Sequence, residues 1–423
     1  MSTLAQTTFN SVNILMGVGI LSLPFAFQIT GWVVGLTILM TCAGLTHHTA
    51  NLLRHCLDYM PPAPSLASSL RPLLQSKTST PYRRAMTFGD IGEIAFGSRG
   101  RNMISVIFCL ELSAAGVALV ILASDSCTAI FPSWNGTIVK CVAVLIALPL
   151  TLPNSLKWAS YASLVGIVAL INLLAIILYD GLTTTETPGS LIVPAQTYLW
   201  PRSWEAVPLS FGLIMAGFAG HSVFANIYRD MIEPTHYPKM LKRTYIIVTI
   251  VYLFIAGAGY AMFGDFTMPE ITQNLPLVPS YNRSITHMTL WLTTINPLTK
   301  FPLNLNPINV QIENILLAAL PPNTLGLPTT RPLPLLPRTL LRSLTAATIL
   351  TIAICFPTFH SIMGLLGSFC AFSVCVVFPS SCYLKLYGAR LPMRVWLVEV
   401  AVLAVGAVMG VLGTIWAFAS LNE

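Results

Sequence analysis

Apolar runs separated by short polar connections set the pattern of this chain. They fall at roughly 9 to 27, 32 to 53, 102 to 124, 137 to 152, 158 to 179, 205 to 226, 243 to 263, 286 to 312, 340 to 357, 360 to 384 and 396 to 419. A helix needs roughly 20 apolar residues to cross about 30 Å of hydrocarbon, and most of these runs reach that length. In order they predict eleven transmembrane helices, spans one to eleven, and an all-α polytopic membrane protein. No stretch alternates apolar and polar residues in strands of about ten, which excludes a membrane β-barrel. Pro297, Pro302 and Pro307 interrupt span eight and predict a kink or an early end. The boundary between spans nine and ten is the softest.

Composition agrees with the pattern. Of 423 residues 55% are hydrophobic and only 9% charged, far below the about 25% of a water-soluble domain, so the bilayer is the solvent. The net charge of +7 is not a nucleic-acid signal, because Lys and Arg follow the topology instead of one soluble face. Eighteen of the 22 basic residues lie in connections on one side, among them Arg54, Arg101, Lys157, Arg229, Lys239, Arg338 and Lys385. Cytosolic loops carry such an excess. The N-terminus is therefore expected in the cytosol and the C-terminus in the lumen. Both glycosylation sequons, at Asn135 and Asn282, fall in loops this assignment makes lumenal.

Two cytosolic connections are long, residues 54–101 and Leu320–Arg338. The first contains Pro61-Pro62-Ala63-Pro64 and a Ser-rich stretch, a linker composition. It then runs through Phe88 to Phe96, which fits a short amphipathic helix on the membrane surface. Neither a signal peptide ahead of span one nor an attached soluble domain is expected. The nine cysteines have no metal-ligand spacing, and no metal site or cofactor is expected. Cys127 and Cys141 flank a lumenal loop, where a disulfide is allowed.

Candidate chemistry begins where helices break. Span one carries Gly17-Val18-Gly19, and span six carries Gly212 and then Gly217-Phe218-Ala219-Gly220-His221. In hydrocarbon an interrupted helix is costly unless protein or substrate satisfies the freed groups, so matched interruptions in two halves point to a transport site. Two five-span repeats, residues 1–180 and 181–385, with 386–423 as an extra helix, would make spans one and six equivalent. An odd number of spans per repeat inverts the second. Opened backbone offers N–H groups to a carboxylate and carbonyls to an ammonium, a pair suited to a zwitterionic amino acid. Close helix packing is the other use of such glycines.

The residues also carry a family likeness. Phe9-Asn10-Ser11-Val12-Asn13-Ile14-Leu15-Met16-Gly17-Val18-Gly19-Ile20-Leu21-Ser22-Leu23-Pro24 and the following Gly31-Trp32 resemble the opening of the amino acid/auxin permease family, above all its vacuolar and vesicular branch. Thr87 to Glu93, Phe224 to Met231 and Asn296 to Phe301 are similar to further family motifs. The resemblance is strongest to fungal vacuolar transporters that exchange neutral amino acids for protons. It implies the leucine-transporter-type fold, with inverted repeats around a midplane site lined by Asn13, Met16, Gly17, Val18, Gly19 and Ile20 from span one. Gly217, Phe218, Ala219, Gly220 and His221 would line it from span six. Members of this branch usually begin with a long hydrophilic region, whereas span one starts here almost at once.

Ionisable residues within the membrane are functional candidates by default. Glu111, midway along span three, suits a proton carrier, with a structural hydrogen bond as the rival. Lys300 in span eight either replaces a coupling sodium ion or snorkels to the cytosol. His221 suits a proton relay, and Asn296 and Thr299 suit polar contacts to substrate or packing at the Pro297 kink. Arg229 and Asp230 read as an interfacial ion pair and gate, or as a topological anchor. His47 and His48 are assigned no role. The function expected is a proton-coupled antiporter of neutral amino acids in the vacuolar membrane, with protons as the coupling ion. A symporter exporting from the lumen and a non-transporting amino acid sensor remain open alternatives. An enzyme is not expected, since no nucleophile has a base partner.

Overall fold

A computed structural model describes residues 2–59, 87–152, 159–319, 334–356 and 358–420. The Pro61–Pro64 linker, Lys157 and most of the Pro-rich connection after span eight lie outside these residues. The described chain is helical, and its β-pairing is an isolated parallel bridge between Ser2 and Met231. Eight helical segments among the described residues are long and apolar enough to cross a membrane. The expected eleven differ from these for physical reasons. Val18–Asp58 is one run of 41 residues, Gly136–Thr151 has only 16, and Arg283–Ala319 is too polar to qualify.

Local sequence explains the turns inside the longest runs. Gly31, at φ +70°, bends helix Leu23–Asp58 between spans one and two. A Cβ there would sit 2.8 Å from the Trp200 backbone, and the Trp32 and Val33 amides donate to the Tyr198 and Leu199 carbonyls. Gly97, at φ +71°, likewise divides helix Phe88–Ile130. Its first piece matches the short helix expected at Phe88 to Phe96. It starts on a Thr87–Asp90 capping box, which supplies partners for the first free amides, and folds back so that Gly92 and Gly100 meet backbone to backbone.

Span eight corrects the expectation of an early end. Arg283–Ala319 is a continuous helix of 37 residues that keeps all three prolines inside. Its packing along span three and span five allows this, because neighbouring helices shield the carbonyls each proline leaves unpaired. Span nine ends at Cys355 and span ten begins at Phe359. Span ten then loosens into π-helical turns at Leu366–Ala371 and Ser373–Val377, where Gly212 and Gly367 bring spans six and ten into backbone contact. Spans six and ten are central, with 67% and 78% of their apolar windows buried, whereas span eleven, Met393–Ala419, has 17% and is peripheral.

The two ends of the bundle are distinct. Asn135 and Asn282 cap the helices that follow them, through Oδ1. They share an end, since Pro132 and Arg283 line one cavity and Phe131 meets Trp291. At the other end Tyr228 donates to Asp58, Tyr387 donates to the His55 carbonyl, and Arg342 donates to Glu313 and to the Thr151 carbonyl. Cys127 and Cys141 are both free thiols. Cys127 lines an apolar groove with Val139 and Val142, and the helical turn directs Cys141, lying between those two valines, away from it.

Candidate substrate site at the paired helix breaks

Both predicted discontinuities exist. Span one runs as helix Leu4–Leu15, stops at Met16 and Gly17, and continues as a 3-10 turn, Val18–Ser22. Span six stops at Gly217 and restarts at His221. Helix ends leave carbonyls and amides without intrahelical partners, so each break presents both polarities inside the bundle.

The two breaks touch. A Cβ on Gly19 would lie 2.9 Å from the Gly217 nitrogen and 3.1 Å from its Cα, and one on Gly220 would lie 2.9 Å from Leu15. Tyr252 of span seven joins them chemically, its hydroxyl lying 2.6 Å from both the Leu15 and the Gly217 carbonyls. One phenol has one proton, so the hydroxyl is shared between the two half-helix ends. Sequence reasoning missed this residue. Tyr252→Phe is expected to take the phenol donor from the buried Gly217 carbonyl and to leave the Leu15 carbonyl with the Gly17 amide alone, at a cost of about 1–3 kcal/mol, read as a lowered unfolding midpoint and altered exchange of substrate.

The break in span one, through Met16, Gly17, Val18 and Ile20, lines a cavity of about 30 Å³ with Leu122 of span three, Gly166 of span five, and Thr293 and Asn296 of span eight. That is room for a water or two, so the site is closed in this conformation. The expected lining from span six is not in it. Phe218 instead stacks on Tyr245 and meets Tyr252 edge-on. The Phe218 carbonyl accepts from the Cys375 thiol at 3.9 Å.

His221 is fully buried, with Nε2 3.0 Å from the Thr49 hydroxyl and Nδ1 without a partner. Asn13 is half-buried on the half-helix before the break. Lys300 reaches the cavity and does not snorkel: a Cβ on Gly166 would lie 3.0 Å from Nζ and 3.3 Å from the Asn296 Oδ1. Asn296 Oδ1 is buried without a partner, whereas the Thr299 hydroxyl donates back to the Asn296 carbonyl next to Pro297.

Glu111 is buried, its Oε2 unpartnered. Its charge is felt at Cys370 and Cys375 of span ten, and Cys375 in turn touches the break in span six. Arg229 and Asp230 do not form the expected pair. Arg229 donates to the Leu57 carbonyl at 2.8 Å, and the Asp230 carbonyl accepts from the Ser2 amide at 2.8 Å while Ile232 donates to Ser2. His48, assigned no role from sequence, lies 2.9 Å from the buried Glu399 of span eleven.

Comparison with known proteins follows the same geometry. The profile of the family described as "Transmembrane amino acid transporter protein" matches residues 1–421. The chain is 31% identical to amino acid transporter AVT1B of Arabidopsis thaliana over 434 residues, covering 100% of this chain and 72% of that one. It is 29% identical to AVT1E, covering 99% and 73%, and 28% identical to AVT1H, covering 98% and 88%, both also of Arabidopsis thaliana. These relatives are transporters, not enzymes. Among solved structures it shares the fold of Mhp1, a nucleobase-cation-symport-1 family transporter, at TM-score 0.55 and 12% identity over 100% of this chain and 91% of that one. With its broken helices and this match along almost its whole length, the chain belongs to the transmembrane amino acid transporter family.

Proposed function

We propose that the chain is a proton-coupled transporter of neutral amino acids in the membrane of an acidic organelle, the vacuole. It works by alternating access, as an antiporter that loads the lumen. The observation that carries this reading is the contact between the two breaks at Gly19 and Gly217, bridged by Tyr252. In this reading eleven crossings form two inverted repeats, residues 1–180 and 181–385, plus a last helix, with the N-terminus cytosolic. The carbonyl end of the first half-helix takes the substrate ammonium, and the amide ends after each break take its carboxylate.

Glu111 carries the proton. Lys300 supports sodium independence, since its ammonium places a fixed positive charge beside the cavity where a coupling cation would otherwise be held. The test is uptake of labelled glutamine, leucine or tyrosine into reconstituted vesicles under an imposed pH gradient. Uptake that follows the gradient and reverses with its sign supports the reading. Saturable binding without flux would replace it with a sensor.

A further inference from the structure

Beyond the breaks, one group of ionisable residues has no place in the mechanism above. Glu270 precedes the short helix Ile271–Asn274, is fully buried, and neither carboxylate oxygen has a hydrogen-bond donor. The side chain it faces is another acid, Asp125 near the end of span three. Two neighbouring carboxylates repel when both are charged, whereas one proton between them turns the contact into a hydrogen bond.

The surrounding charges balance with one proton present. Lys140 of span four, its ammonium 3.0 Å from the Ala353 carbonyl, opposes Asp125 and offsets one negative charge. Gln273 Nε2 donates to Asp125 at 3.4 Å. Arg283 and His287 of span eight stand on the wall of the outer cavity, and the Val18–Ser22 and Leu275–Leu277 segments bring no ionisable side chain. Among the described residues Glu270 therefore has no cation of its own.

The pair has access to one side and a packing contact towards the other. Asp125 and Gln273 line a cavity of about 850 Å³ at the end that carries both sequons, with Glu270 behind them. On its inner side the Ile271–Asn274 helix packs against the Val18–Ser22 turn of span one. Asp125 lies on the same helix as Glu111, 14 residues and about 21 Å along it.

We propose that Asp125 and Glu270 form a proton-binding carboxyl pair that loads the carrier from the sequon-bearing side and reports its occupancy to the break in span one. The proposal rests on the proton-coupled reading and adds its entry site. Burial, reinforced by Asp125, holds the Glu270 carboxyl well above the usual carboxylate range. A carboxyl raised in this way keeps in the folded state a proton that the unfolded chain has lost. Its contribution to stability is full at acid pH and disappears as pH rises from the ordinary carboxylate range through its raised value.

The experiment uses the full chain in oriented proteoliposomes, with pH varied on one side at a time. Glu270→Gln replaces the protonated acid by a neutral amide. It should keep substrate counterflow at equal pH within about twofold while driven uptake loses its dependence on pH at the sequon side, a change of about tenfold. Its unfolding midpoint should also fall less steeply with rising pH than that of the wild type. Asp125→Asn carries the same readouts if the first variant does not reach the membrane. In the unmodified protein, the infrared carbonyl stretch of a protonated carboxyl should titrate with pH at that side. A wild-type pH profile in either variant, or no such band, overturns the pair as the loading site. Absence of driven uptake in the wild type itself overturns the proton-coupled reading instead.

Discussion

Gly19→Ala is expected to abolish transport, with counterflow lowered by at least about tenfold, because the added methyl meets backbone and not a movable side chain. Its Cβ would stand 2.9 Å from the Gly217 nitrogen and 3.1 Å from the Ala216 carbonyl carbon. Relief requires the two breaks to separate, which also parts the Leu15 and Gly217 carbonyls that share the Tyr252 hydroxyl. Gly44→Ala is the matched control, since nothing lies within 4 Å of its added Cβ, and it should transport like the wild type. Gly217→Val acts from the other side by meeting the Tyr252 ring at 2.9 Å. Wild-type counterflow in Gly19→Ala would show that the contact between the breaks can open without consequence, and the site would have to be sought elsewhere.

Glu111→Gln is expected to remove gradient-driven uptake while leaving part of the counterflow. An amide keeps the shape of the neutral acid but has no proton to release. The side chain is buried in span three, has one oxygen without a partner, and its charge is felt at the π-helical turns of span ten. Those turns touch the break in span six through Cys375 and the Phe218 carbonyl, so in the proposed reading a charge on Glu111 would act on the site through an irregular helix. The measurement is uptake with and without a pH gradient, set beside exchange at equal pH, with driven uptake falling by about tenfold. An unchanged proton dependence would take Glu111 out of the coupling role and leave it a packing residue. Because Glu270→Gln should change the response to pH on one side only, the two variants separate proton entry from proton coupling.

The breaks were legible because Gly17 to Gly19 and Gly217 to Gly220 stand at matched places in the two halves, whereas a lone glycine cluster, such as Gly406 to Gly413 in unbroken span eleven, serves helix packing. The spans were legible by length, except where Gly31 and Gly97 fold one continuous helix and where span eight keeps its prolines. Tyr252 was not legible. It is one of 13 tyrosines, and its role depends on two carbonyls far away in sequence. Asp125 and Glu270 were hidden for the same reason, one at a helix end and the other in a connection, separated by 145 residues. Arg229 and Asp230 misled because adjacent residues on a helix point in different directions. Their partners come from span two and from Ser2.

The bridge between Ser2 and Met231 ties the outer tip of the first half-helix to that of the second half of span six. In the alternating-access reading a swing of either one would drag its companion, and this face would open as a single hinged leaf. Spectroscopic labels placed on the two tips should hold a constant separation through the cycle while their distances to span five change.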